Sequence, residues 1–182
     1  ELCSADSERC VALRRDDRYV PWLCHTNANV SPLELKGPCR LERSANGVLD
    51  DLVFRPAIRP IARSGEIVIE VAAAGLNFLD VLKALALAPE VTGSDLSLGA
   101  ECAGTVVALG EGVQDFRIGD EVLAIAPSAF ATYAVTPALL AVRKPSRLSF
   151  EEAATIPIVF VTAYYALHYA ARLAKGERVL IH

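Results

Sequence analysis

AGLNFLDVLKALAL, residues Ala74–Leu87, decides how the chain is read. An apolar strand, Glu66–Ala73, runs into Gly75, with Ile67, Ile69 and Val71 on one face and Glu66 and Glu70 on the other. Asn77 then opens a helical pattern. Phe78, Val81, Leu82 and Leu85 recur at helical spacing and so share a face. Asn suits a helix N-cap because its side-chain oxygen accepts a hydrogen bond from a free N–H of the first turn. A polar amide thus stands at a strand-to-helix junction, where binding groups often sit. The plainer reading is a cap and nothing more. Asp80, on the same turn, is read either as orienting a neighbour or as a solvated carboxylate.

Downstream the pattern is of short strands split by glycine turns. Cys102–Leu109 is one strand, and Gly110–Val113 is a turn. Gly119–Asp120 turns into Glu121–Ala126, and Ala131–Val135 and Leu140–Arg143 follow. Upstream, 39–65 holds two strands about Asn46–Gly47, a pair suited to a tight hairpin because both positions of a type I′ turn need positive φ. Pro56 and Pro60 make the following connection edge-like. Together these predict a small, partly open β-barrel.

The pattern changes at Ser149-Phe-Glu-Glu152, a capping box before an apolar run. Pro157 interrupts that run. A second helix is predicted with Phe160, Ala163, Tyr164, Leu167 and Ala171 on one face, ending at Lys175–Gly176, before a strand at Arg178–His182. No Gly-rich phosphate loop follows any strand. At the other end, residues 1–38 read as two short strands around a charged turn (Arg14–Arg18) and a polar linker. The adjacent Cys24 and His25 lack a second ligand pair and read as loop.

Of the 182 residues, 53 % are hydrophobic, and 18 basic residues face 22 acidic ones for a net charge of −4. No basic run stands out, which argues against nucleic acid or an anionic membrane as partner. No window of eighteen apolar residues is free of charge or Pro, so no transmembrane span is predicted. Five cysteines (Cys3, Cys10, Cys24, Cys39, Cys102) without a CxxC fit a reduced, cytoplasmic protein. The chain has no Met and reads as a piece of a longer polypeptide.

GLNFLDVL, LGAECAGTVVALGEGV, FRIGDEVLA and AATIPIVFVTAYYAL, in that order, resemble the medium-chain dehydrogenase/reductase superfamily. More narrowly, the match is to the enoyl reductase domain of modular polyketide synthases, from about Cys39 to His182. The resemblance implies a mostly β fold with some α. A GroES-like barrel at 39–148 would bind substrate, and 149–182 would begin a truncated Rossmann domain. Residues 1–38 would be an upstream strand pair and linker.

The resemblance also implies the chemistry. Zinc relatives carry a Cys at or near Asn77 and a His in a GHE motif. Here the motif is GAE, with Ala100, and no three-ligand set is present, so no metal is expected. Cys102 reads as a buried strand thiol. The implied reaction is conjugate reduction by NADPH of a trans-2-enoyl thioester held on the phosphopantetheine of an acyl carrier protein, beside other synthase domains. Asn77 would sit at the nicotinamide end, with Phe78 and Val81 in the substrate pocket. Thr162 would approach the cofactor, unless its hydroxyl bonds back to a carbonyl one turn earlier.

Some relatives carry a Tyr at the Val81 position, linked to proton delivery at the α-carbon. Val has no proton to give, which implies the 2R outcome for an α-branched substrate. Tyr164 reads as core or interface, and His168 as structural or exposed. Two other readings stand beside this one: a zinc-free quinone oxidoreductase, and a non-catalytic GroES-like scaffold. The isolated chain is expected to be inactive, because the pyrophosphate end of a cofactor needs the Gly-rich loop.

Overall fold

The computed structural model describes residues 12–14, 17–19, 37–43, 48–88 and 97–181. The chain divides into two units, Glu1–Glu34 and Leu35–His182. In the first, β1 (Ala12–Arg14) pairs antiparallel with β2 (Asp17–Tyr19), as the charged turn between them predicts. Cys24 and His25 lie outside the described residues.

The second unit is built on five antiparallel strands. They are β5 (Glu66–Ala74), β6 (Glu101–Leu109), β7 (Glu121–Ile125), β8 (Tyr133–Pro137) and β9 (Ala141–Arg143), in the order β8-β5-β6-β7-β9. Each strand appears within two residues of its place in the sequence pattern. The sheet curls. Thr136 of β8 is buried, and its hydroxyl donates to the Ile125 carbonyl of β7 at 2.7 Å, although two strands separate β8 from β7 in the order. That contact makes the sheet a half-barrel. Two β-bulges in the β5–β6 pairing, at Val68/Ile69 and Val71/Ala73, supply the local bend.

Ile67, Ile69, Cys102, Val106, Val122 and Ala124 fill the inside of the curl. Burying one Ile side chain contributes about 1.5–3 kcal/mol. Ala103 and Leu123 point to the outer face and are covered by Ala153 and Ala154. Those alanines belong to α2 (Phe150–Ala154), whose start is the predicted capping box. Ser149 Oγ accepts from the Glu152 N–H at 3.1 Å, and Glu152 Oε2 accepts from the Ser149 N–H at 2.9 Å.

β3 (Cys39–Glu42) pairs antiparallel with β4 (Val53–Pro56), the two strands expected within 39–65, with Pro56 on an edge strand. A 3₁₀ turn at Leu49–Asp51 precedes β4. Asn46–Gly47 lie outside the described residues. α3 (Pro157–Tyr164) continues as a π-turn over Tyr165–Ala170, and its apolar face is exposed, so Tyr164 is not a core residue. Phe160, Tyr164 and Leu167 meet no covering element among the described residues. One expectation fails: Arg178–Ile181 is not a strand, and Leu180 is 83 % exposed. A strand needs a neighbour to take its ladder hydrogen bonds, and no described strand offers one.

One stretch, Phe150–Ala170, is nonetheless 21 residues long with a mean hydropathy of 1.3, long and apolar enough for a span by length and composition. In this fold it is broken at Thr155–Pro157 and tied to β6 through Ile158, as described below.

Asp120 gives the fold a dependence on acid. Its carboxylate accepts from the Arg117 backbone N–H at 2.9 Å and pairs with the Arg143 guanidinium at 3.1 Å. The backbone bond first, and then Arg143, hold its carboxyl below the usual range. A depressed carboxyl stabilises the fold above its unfolded value, near pH 3.9, and that contribution is lost as pH falls through the lower folded value. Asp120→Asn is therefore expected to be less stable than wild type at pH 6 and to match it near pH 2, as measured by urea midpoints across pH.

Candidate functional site

The site is built where β5, α1 (Phe78–Ala84) and the start of β6 meet. Two carboxylates bracket Asn77, and both are 2 % exposed. Asp80 Oδ2 accepts from the Asn77 backbone N–H at 3.0 Å, which closes a capping box on the first turn of α1. Its Oδ1 accepts from the Gly99 N–H at 2.9 Å, so Asp80 also ties α1 to the GAE loop. Of the two readings of Asp80, the orienting one holds. Gly99 is required at this point. Its φ is +96°, and a Cβ would lie 2.5 Å from the Phe130 nitrogen.

Glu101 is the second carboxylate. Its Oε1 accepts from Asn77 Nδ2 at 2.8 Å, and its Oε2 accepts from the Ile158 N–H at 2.8 Å. One side chain thus joins the β6 start, the N-cap of α1 and the first turn of α3. Gly75 makes room for it, because a Cβ there would lie 2.5 Å from Glu101 Oε1 and 2.6 Å from the Ala154 carbonyl oxygen. Asn77 does cap the helix, but its amide is also committed to this carboxylate. That fixes its orientation, since a flipped amide would set oxygen against oxygen. Sequence reasoning quoted Glu101 inside GAECAG and missed its role. The available signal was a charged residue opening an otherwise apolar strand.

The other named residues are placed as follows. Asn77 and Val81 are half-buried, and Phe78 is 75 % exposed. The Phe78/Val81/Leu82/Leu85 face is therefore not a buried one; the α1 residues that are buried are Asp80 and Ala84. Thr162 is exposed on α3, and its hydroxyl makes no hydrogen bond to a described residue. The back-bond to a carbonyl is made by Thr155 instead, to Glu152 at 2.8 Å. No hydrogen bond joins Thr162 to Asn77; Glu101 hydrogen-bonds to Asn77 at the start of α1 and to Ile158 on α3. Tyr164 is exposed and stacks on His168 at 5.0 Å.

Cys102 is fully buried, and burial first, with the neighbouring Glu101 charge second, pushes its thiol up to about 12. A thiol that stays protonated at neutral pH is no nucleophile. Among the described residues, no three His, Cys, Asp or Glu side chains stand together as a metal-ligand set.

An open groove of about 280 Å³ lies on another part of the barrel, between Arg40, Ile58, Pro127 and Tyr133. It shares no lining residue with the Asn77 site.

Comparison with known proteins identifies the class first. Residues 63–146 match the alcohol dehydrogenase GroES-like domain. The chain belongs to the medium-chain dehydrogenase/reductase superfamily.

Within it, the chain groups with the polyketide enoyl reductases. It is 40 % identical over 176 residues to the erythronolide synthase EryA2 of Saccharopolyspora erythraea, covering 94 % of this chain and 5 % of that protein. It is 40 % identical to a reducing polyketide synthase, PKS1, of Cochliobolus heterostrophus, over 82 % of this chain and 6 % of that one. Among solved structures it is similar to the CurK enoyl reductase, with a TM-score of 0.76 and 40 % identity over 81 % of this chain and 47 % of that one. It is also similar to a quinone oxidoreductase of Coxiella burnetii, with a TM-score of 0.69 and 27 % identity, covering 78 % of this chain and 47 % of that one. A third structure, mycobacterial Rv1454c complexed with NADPH, has a TM-score of 0.68 and 28 % identity, covering 76 % of this chain and 43 % of that one. The chain thus spans under a tenth of these two synthases and under half of these three structures.

Proposed function

We propose that the chain is the substrate-binding part of an enoyl reductase in a polyketide synthase. The parent protein would reduce a trans-2-enoyl thioester carried on acyl carrier protein. The observation that supports this best is the oriented Asn77 amide at the barrel edge, in a chain 40 % identical to the CurK enoyl reductase. The domain boundaries that go with this reading are 39–148 for the barrel and 149–182 for the start of the nucleotide-binding half. The exposed apolar face of α3 is then the surface that half covers. Neighbouring synthase domains are the further partners, and the cytoplasm is the location.

The described residues fit one end of NADPH. Asn77 offers a fixed carboxamide, Thr162 an uncommitted hydroxyl, and Phe78 an exposed ring. When bound, NADPH supplies the hydride for the β-carbon. The protein must then stabilise the charge that develops on the thioester oxygen and deliver a proton to the α-carbon. Val81 gives no proton, so an α-methyl substrate would yield the 2R product with its proton from elsewhere. Asn77 orients the reacting end, and Phe78 and Val81 line the acyl path. No metal takes part in this reading.

The test compares substrates. The parent protein, given NADPH, is expected to turn over crotonyl-pantetheine much faster than a simple benzoquinone. The 182-residue chain alone is expected to consume none. Quinone reduction with no turnover of the thioester would move the chain to the quinone oxidoreductases. Use of neither substrate would favour the scaffold reading.

A further inference from the structure

The geometry points to Glu101 as the positioning residue for Asn77, and to the Glu101 carboxylate as the coupling between the substrate barrel and the helix that leads to the nucleotide-binding half. This inference rests on the enoyl reductase reading and adds a residue to it. Glu101 is buried and has two oxygens committed to two different elements, Asn77 Nδ2 at 2.8 Å and the Ile158 N–H at 2.8 Å. Neither partner is near it in sequence. A carboxylate is the side chain suited to this place, because it offers only acceptors and both partners are donors. Gly75 is kept free of a side chain where that carboxylate lies. The Asn77 amide is therefore oriented before any cofactor arrives, which lowers the ordering cost of binding. A change in how α3 begins would reach Asn77 through the same carboxylate.

The test exchanges donor and acceptor. Asn77→Asp sets two carboxylates against each other in a buried site. Glu101→Gln leaves one acceptor for two donors. Together the substitutions restore both bonds, since the new amide can donate toward position 77 and still accept from Ile158. Two quantities are measured on the full-length parent protein: the melting temperature without cofactor, and the NADPH dissociation constant by fluorescence. Each single variant is expected to weaken NADPH binding roughly tenfold or more, the range of a buried polar group left unpaired. The double variant keeps the altered group at position 77, so it is expected to recover its melting temperature and to bind NADPH at least as tightly as Asn77→Asp alone, the two losses not adding.

Melting temperatures that fall and recover while the dissociation constant stays the same in all four proteins would make Glu101 structural only and overturn the inference. Additive losses in the double variant would overturn it as well. Both results leave the enoyl reductase reading standing. A wild-type parent protein that binds no NADPH overturns that reading, and the inference with it.

Discussion

Replacing Gly104 with alanine is expected to lower the melting temperature of the barrel by roughly 10 °C, from a cost of at least about 3 kcal/mol. Gly104 lies inside β6, paired to Val71 of β5 on one side and to Val122 of β7 on the other. A Cβ there would stand 2.1 Å from the Glu70 carbonyl oxygen and 2.9 Å from Ile69 Cγ2. The oxygen belongs to a strand held in ladders with β6 and β8, so it has no room to move. Gly112 is the control. Its φ is +83°, and nothing lies within 4 Å of an added Cβ, so alanine there costs only the left-handed strain of about 1–2 kcal/mol. Equal melting temperatures for the two variants would mean that the β5–β6 register at the bulge is wrong.

The second large effect is expected at Gly75. Alanine there drives a methyl into the Glu101 carboxylate on one side and the Ala154 carbonyl on the other. Neither can yield cheaply, because Glu101 is held by Asn77 and Ile158, and Ala154 is packed under the sheet by Ala103 and Leu123. The cost is again about 3 kcal/mol. Unlike Gly104→Ala, it should also weaken NADPH binding in the parent protein, because the methyl displaces the carboxylate that orients Asn77. A melting loss of that size with unchanged NADPH affinity would separate the packing at Gly75 from the site.

Strands were easy to read in this chain because their signal is local. The alternation of Ile67 and Ile69 with Glu66 and Glu70 places β5, and the glycine turns place its neighbours. The Ser149–Glu152 capping box is equally local, and it forms as read. Periodicity grouped Phe78 and Phe160 with their apolar neighbours, but it says nothing of what covers those faces, and both side chains are exposed.

Glu101 is the informative miss. Its partners lie 24 and 57 positions away, at Asn77 and Ile158, and no motif records such a meeting. Asp80 was equally ambiguous from sequence, because a helix carboxylate becomes an orienting group only when a distant N–H, here that of Gly99, comes to meet it. The resemblance placed the chain correctly in the family. The geometry around Asn77 emerged only from the fold.

Hydride delivery to the β-carbon of an enoyl thioester, proposed here for the parent protein, is followed with an isotope. NADPH carrying deuterium at both C4 positions of the nicotinamide is supplied with crotonyl-pantetheine to the parent protein, and the product is examined by NMR. One deuterium is expected at C3 of butyryl-pantetheine, with the C2 proton drawn from solvent. NADPH consumed with no label at C3, or with label at C1 of a reduced thioester, would contradict it.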